Sequence, residues 1–213
     1  MKKFSFTSAV LALALGISAP ATAAPVQWTA ANGGNDHWYE VVWPKQGKIT
    51  ASTAKSLAES STHLGVSGYL ATITSAAEQI FLNDLNAAFS AAYTHQAGTY
   101  VRAWLGGSDA ATEGAWEWTT GEAFSYTNWA NGSNGKGKYD RDYLAGWYGE
   151  GTQDDDTWRD CRDNTGNCDV YKYVVEYNSA VATVSPVPLP ASLPMIAAGL
   201  GLMAFVGRRR KKS

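Results

Sequence analysis

The stretch that decides the fold is Ala103–Trp129, AWLGGSDAATEGAWEWTTGEAFSYTNW. It holds Trp104, Trp116, Trp118 and Trp129, four of the nine tryptophans in the chain. Trp116 and Trp118 are two residues apart, so a strand through them places both on one face. Gly106, Gly107, Gly114 and Gly121 punctuate the run at turns. Short strands built on large aromatics, each burying much area, are the elements this spacing predicts. On that reading Trp104, Trp116 and Trp118 form a core hairpin, and Trp129 marks where scaffold gives way to loop.

Working outward toward the N-terminus, Ala91–Tyr100 reads as a loop. Before it, Ser75-x-x-Glu78 has the pattern of a capping box and opens a helix over about Ala76–Phe89, with Phe81, Leu85 and Ala88 on one face. Tyr69–Ile73 is β-prone. An earlier helix is expected within Ile49–Leu64, with Ala54, Leu57, Ala58 and Leu64 inward and Gly65 and Gly68 ending it. His37–Trp43 reads as a strand. Toward the C-terminus, Ala130–Lys138 and Gly149–Asp156 are loops, Tyr143–Trp147 is a strand candidate, and Tyr171–Tyr177 alternates as a final strand. Strand, helix, helix, then several short strands describe an α+β domain with two helices beside antiparallel sheet.

The two ends carry addresses. Lys2 and Lys3, the apolar run Ala9–Ile17 and Ala21-Thr22-Ala23 make residues 1–24 a secretory signal peptide. At the other end, Asn178–Ser185 is rich in small residues and reads as a linker, assigned to residues 179–186. The rest, 187–213, starts with Val187-Pro188-Leu189-Pro190-Ala191 and ends in Arg208–Lys212. Between them residues 193–207 are apolar without a charge, about 15 residues, at the short edge of what spans a bilayer. The basic tail stays on the cytoplasmic side and leaves the body outside. The 213 residues carry a net charge of only −2, so no bulk field attracts nucleic acid. Charged residues make up 17%, below the usual share of about 25%.

Catalytic chemistry finds little support. His37, His63 and His95 lack metal-ligand spacing. There is no G-x-S-x-G, no phosphate loop and no oriented Cys–His pair. Glu113 and Glu117, which could be imagined flanking a glycosidic bond, fit better as exposed positions between buried tryptophans. The expectation is a protein that is not an enzyme. Cys161 and Cys168, close in sequence and exported to an oxidising space, favour a local disulfide, with free thiols or a metal as alternatives.

Taken in order, several of these segments resemble the C-type lectin-like domain. The matching marks are Gly68-Tyr69-Leu70-Ala71-Thr72-Ile73-Thr74-Ser75-Ala76-Ala77-Glu78, Trp104-Leu105-Gly106-Gly107, and Asp109–Trp118 with its E-G-x-W-x-W core. They continue through Asn128-Trp129, Asp142-Tyr143-Leu144, Trp158-Arg159-Asp160 and Val174-Val175-Glu176-Tyr177. The resemblance covers residues 25–178. It implies an α+β C-type lectin-like fold with a long loop region and, in sugar-binding members, a Ca²⁺ ion held by hard oxygens that also meets sugar hydroxyls. Carried over, the ligand set is thinned. Ser133-Asn134-Gly135 stands where sugar-binding members have a Glu-Pro-Asn or Gln-Pro-Asp triplet, Arg141 replaces a Glu, and Arg159 replaces an Asn. Asp160 remains. The two cations repel Ca²⁺. A degenerate calcium site at Asn131, Asp142 and Asp160, with Asn134 or Asp140 nearby, stays open, as does one on Asp154–Asp156.

The C-terminal order resembles the PEP-CTERM class of bacterial sorting signals, with Leu189 in place of the usual Glu. That resemblance implies processing by an exosortase-type protease, transient anchoring in the inner membrane by the C-terminal helix, and delivery to the cell surface or matrix. An ordinary membrane anchor is the alternative. The functional expectation is an exported binding module for carbohydrate or exopolysaccharide, or else a structural or protein-binding matrix component. Its ligand residues are expected at Asn131, Asn134, Asp142, Trp147, Tyr148, Trp158 and Asp160, with Trp147 and Tyr148 stacking on sugar.

Overall fold

The computed structural model describes residues 21–44, 47–92, 102–131, 133, 140–148, 156–164, 166 and 168–179. They fall within one compact unit, Met1–Ala180, while Val181–Ser213 lies outside the described residues. Ten short strands and two α-helices follow the order β1 (Ala21–Thr22), β2 (Val26–Gln27), β3 (Trp38–Trp43), α1 (Ala51–Ser60), β4 (Thr62–His63), β5 (Val66–Leu70), α2 (Ala76–Ala92), β6 (Arg102–Ser108), β7 (Glu117–Trp118), β8 (Tyr143–Tyr148), β9 (Thr157–Cys161) and β10 (Val170–Tyr177), all among the described residues. β1 pairs with the end of β3, Ala21 opposite Trp43, and so lies inside the expected signal peptide.

The sheet runs β1-β3-β10-β6-β8-β9, with β5 also on β10 and β7 on β6. β10 is antiparallel to β3 and β5 but parallel to β6. That parallel step is the departure from an all-antiparallel expectation. The chain leaves β6, passes through β7, β8 and β9, and re-enters beside β6 in the same direction. β10 is buried on both faces, which its alternation explains. Val174 joins the cluster under α2, while Tyr173, Val175 and Tyr177 join the one under α1. Gly106 is required between β6 and β5: a Cβ there would stand 2.5 Å from the Leu70 carbonyl oxygen.

Both helices are capped locally. The Thr50 hydroxyl accepts from Thr53 N at 3.2 Å, and the Ser75 hydroxyl accepts from Glu78 N at 3.1 Å. α1 buries Ala51, Ala54 and Ala58, whereas Leu57 and Leu64 are exposed at 39% and 62%. Of the expected inward face, Ala54 and Ala58 are buried as read, while Leu57 and Leu64 are not. Nor does Gly65 end the helix. With Leu64 it forms the turn of the β4–β5 hairpin, both at positive φ, 50° and 81°. On α2 the inward residues are Glu78, Gln79, Leu82, Leu85 and Phe89, and Ala88 faces out. Periodicity misread this face because two of its members are polar.

Their polarity has partners. Glu78 and Glu176 are 1% and 0% exposed. The Tyr39 hydroxyl lies 2.5 Å from Glu78 Oε1 and 3.2 Å from Glu176 Oε1. The second Glu78 oxygen accepts from Thr74 N and Oγ1 at 2.7 and 2.8 Å. This is the return arm of the capping box, aimed one residue before the cap. His37 Nδ1 sits 2.7 Å from Glu176 Oε1, and Thr72 N donates to Glu176 Oε2 at 2.9 Å. Burial pushes the Glu78 carboxyl above its ordinary value. The hydrogen bond to Glu176 raises the His37 imidazole, against the opposing pull of burial. On β10, Lys172 is 2% exposed, donates to Asn86 Oδ1 at 2.7 Å, and is pushed down to about 8 by burial.

These shifts fix a pH dependence. Glu78 and His37 both hold protons more tightly folded than unfolded. Their contribution is complete below the unfolded values of 4.5 and 6.5 and is lost as pH rises through the folded ones. Lys172 acts oppositely: unfolded it stays charged up to 10.5, so the fold regains stability above about 8. Thermal melts should show Tm falling from about pH 5 to 7.5 and recovering beyond about 8. Glu78→Gln should flatten the acid limb, and a Tm rising from pH 5 to 7.5 contradicts this account.

Candidate functional site

The loop region after Trp129 starts and ends on two tryptophans whose backbones are bridged. Trp158 N donates to Asn128 O at 2.7 Å, and Ala130 N donates to Trp158 O at 2.8 Å, so Trp129 and Trp158 form a parallel bridge. Asn128 Nδ2 adds a bond to Asp156 O at 2.8 Å. The Trp158 indole is 0% exposed. Trp118, Phe124, Tyr126 and Trp129 surround it at ring distances of 5.7, 6.1, 5.6 and 5.7 Å, all edge-on. Trp116 packs edge-on against Trp129 at 4.7 Å. Trp104 is buried on the other face, its Nε1 donating to Ile49 O at 2.8 Å.

α2 supplies the polar half of this support through three amides one turn apart. Trp158 Nε1 donates to Gln79 Oε1 at 2.7 Å, and Gln79 Nε2 donates to Asn83 Oδ1, also at 2.7 Å. Trp147 Nε1 reaches the same Asn83 oxygen at 3.2 Å, and Asn86 takes the Lys172 ammonium. Trp147 has φ of 62° at an irregularity in the β8–β9 register, between Gly146 and Tyr148. The irregularity turns its side chain into the core, where it is 6% exposed. Of the expected ligand residues, then, Trp147 and Trp158 are placed beneath the surface, and an enclosed indole has no face to stack on a sugar.

The polar residues are placed differently. Asn131 is exposed in the turn after the bridge, while Ser133 is nearly buried, its N–H donating to Ala130 O at 3.0 Å. Asp140 is exposed, and Arg141, Asp142 and Tyr143 are half-buried. Asn134, the Tyr148 side chain, Asp154, Asp155 and the sorting motif Val187–Ala191 lie outside the described residues. Asp142 and Asp160 share an acidic edge with Asp109 and Asp140. Asp109 is 3% exposed; its Oδ2 accepts from Gly114 N at 2.9 Å, and its Oδ1 is sealed off without a hydrogen bond. Burial holds the Asp109 carboxyl up, with the charges of Glu113 and Asp160 adding to it. Burial likewise raises Asp142, reinforced by a hydrogen bond from Asp140 and the charges of Asp140 and Asp109.

Asp160 is 5% exposed, and the Arg141 guanidinium approaches its Oδ1 to 3.6 Å. A calcium ion on that oxygen would lie against the guanidinium, so the residues present do not fit Ca²⁺ there. Among the described residues no three His, Cys, Asp or Glu side chains gather in a metal-holding arrangement. The Cys161–Cys168 disulfide is formed, with Cα atoms 5.9 Å apart, and closes the loop after β9. No helix among the described residues is long and apolar enough to cross a membrane, and the expected C-terminal helix lies outside them. Sequence reasoning missed Gln79, Asn83 and the buried role of Asp109. The amides carried a signal in their one-turn spacing along α2.

Gln79→Ala should leave the buried Trp158 N–H unpaired and cost about 1–3 kcal/mol in urea unfolding. Trp158→Ala should cost about 3–5 kcal/mol. Asn131→Ala, in contrast, should leave the midpoint unchanged.

The family model for the lectin C-type domain matches residues 52–175, and the PEP-CTERM protein-sorting motif matches residues 186–211. Neither describes an enzyme family. Halomucin of Haloquadratum walsbyi is 33% identical over 189 residues, 80% of this chain but 2% of that protein. The galactose-specific lectin nattectin of Thalassophryne nattereri is 38% identical over 69 residues, 32% of this chain and 39% of nattectin. The chain thus spans well under half the length of either relative. The crystal structure of C-type lectin CEL-I from Cucumaria echinata superposes with a TM-score of 0.51 at 25% identity, covering 68% of this chain and 92% of that one. With the strand order, the capped helices and the tryptophan-anchored loop region already in place, the family match settles the identification: the chain belongs to the C-type lectin domain family and carries a PEP-CTERM sorting motif.

Proposed function

We propose that the protein is an exported carbohydrate-binding module, displayed at the cell surface or in the surrounding matrix, with exopolysaccharide as its ligand class. The observation that carries this reading is the tethered loop region between Trp129 and Trp158. A rigid aromatic platform holds its two ends together, which limits the ordering cost of binding. The family match supports sugar as the ligand, and the similarity to a galactose-specific lectin agrees with it. Asn131, Asn134 and Asp142 are the hydrogen-bonding groups of the proposed site, and Tyr148 is its stacking surface. Trp147 and Trp158 act from beneath as support.

Export rests on the signal peptide at residues 1–24 and the sorting motif at 186–211. Residues 25–178 form the binding domain, 179–186 the linker and 187–213 the sorting segment. An exosortase-type protease is the processing partner, acting after transient anchoring through residues 193–207. The second reading, a structural or protein-binding matrix component, is favoured by one observation: Arg141 and Asp160 are paired with each other.

A glycan array probed with and without EDTA separates the two readings. Binding should appear in both conditions and weaken at least about tenfold in Asn131→Ala and Asp142→Asn, each still melting cooperatively; about tenfold corresponds to one good hydrogen bond. Silence across the array favours the structural component. Signal abolished by EDTA shows a calcium-dependent lectin instead.

A further inference from the structure

Four carboxylates are drawn to one edge of the β8–β9 ribbon: Asp109, Asp140, Asp142 and Asp160. Asp109 and Asp160 are 3% and 5% exposed. Each has an Oδ1 enclosed by protein with no hydrogen bond. Buried like charges at this density need a counter-charge. The structure places one there. Arg141 Nη1 stands 3.6 Å from Asp160 Oδ1, with side chains 27% and 7% exposed. The neighbouring Arg162 Nε donates to the Asp140 carbonyl at 3.2 Å and fixes the same segment.

Arg141 occupies the position at which sugar-binding relatives are expected to supply a Glu ligand, and Asp160 is the ligand that remains. On that resemblance a positive side chain stands where a negative ligand is expected. We propose that the Arg141 guanidinium is the resident counter-ion of this acidic edge and stands in for a divalent cation, so the loop region is ordered without metal. A divalent ion on Asp160 Oδ1 would stand within about 4 Å of the guanidinium, and that repulsion would cancel more than half of what one carboxylate contributes. The guanidinium also differs from a bound ion in kind. It stays charged at any physiological pH, and it is neither diluted away nor removed by a chelator, whereas a bound ion stabilises only in proportion to its concentration. Arg is suited to this place because its planar head can serve a partly buried carboxylate while its edge faces water.

The test is thermal melting of the full chain, a readout independent of whether it binds sugar. Wild type should give the same Tm within about 1 °C in EDTA and in millimolar CaCl₂, since a ligand that does not bind leaves the equilibrium unmoved. R141E restores an acidic ligand and removes the competing cation. It should melt lower than wild type in EDTA and gain at least about 4 °C in millimolar CaCl₂, the response of a site of extracellular-module affinity. R141M, of similar length and uncharged, decides the matter if R141E does not fold. It should lose Tm at pH 7 and be restored toward wild type by a second change, D160N. The proposal is overturned if wild type gains about 4 °C or more with CaCl₂. It is equally overturned if a folded R141E ignores calcium, or if R141M melts like wild type at pH 7.

Discussion

The anchoring of the loop region depends on how Trp158 is enclosed. Its ring touches four other aromatics, its indole N–H is pinned to Gln79, and its backbone binds the chain on either side of Trp129. One residue thereby joins the β7 hairpin, α2 and the two ends of a long excursion. Aromatic edge-to-face packing fixes orientation as well as area. The amide partner removes the penalty of a buried donor. Neither α1 nor α2 is tied to β10 by a disulfide here, since the described bridge, Cys161–Cys168, closes only a short loop. Packing must hold the layers together, and the number of tryptophans follows from that requirement.

A second constraint sits under the N-terminus of α2. Glu78 caps its own helix through Thr74 and meets Glu176 of the central strand at the Tyr39 hydroxyl. This couples the helix start, β3 and β10 in one hydrogen-bonded group. Two adjacent buried carboxylates are expensive unless protons or donors neutralise them. Tyr39, Thr72, Thr74 and His37 supply donors, and the remaining imbalance appears as raised proton affinity at Glu78 and His37. The acidic edge near Asp160 meets the same difficulty with a guanidinium. The molecule therefore contains two answers to buried negative charge, one by proton and one by a fixed cation.

Much of the fold was legible because local signals agreed with one another. Ser75 and Glu78 marked the start of α2 through the chemistry of an orphan N–H. The two-residue spacing of Trp116 and Trp118 put both against Phe124, although only Glu117 and Trp118 form strand. Legibility failed where polar residues turn inward. Gln79 and Asn83 look like surface positions, and periodicity of apolar residues cannot see an amide whose task is to receive an indole N–H. It failed again at Trp147. A positive φ at a strand irregularity reverses which face a side chain takes, and nothing in a run of alternating residues announces the irregularity.

The sequence by itself determined the class of fold, the order of its main elements and the C-terminal sorting motif, because each of these is written in local pattern or in residue identity. Tertiary structure alone decided that Trp147 and Trp158 are scaffold too, that Asp109, Asp140, Asp142 and Asp160 share one edge, and that Arg141 meets Asp160. The physical reason is range. Caps, turns and signals act over a few residues. Burial and charge compensation act between Gln79 and Trp158, or Tyr39 and Glu176, and those distances exist only once the chain has closed on itself.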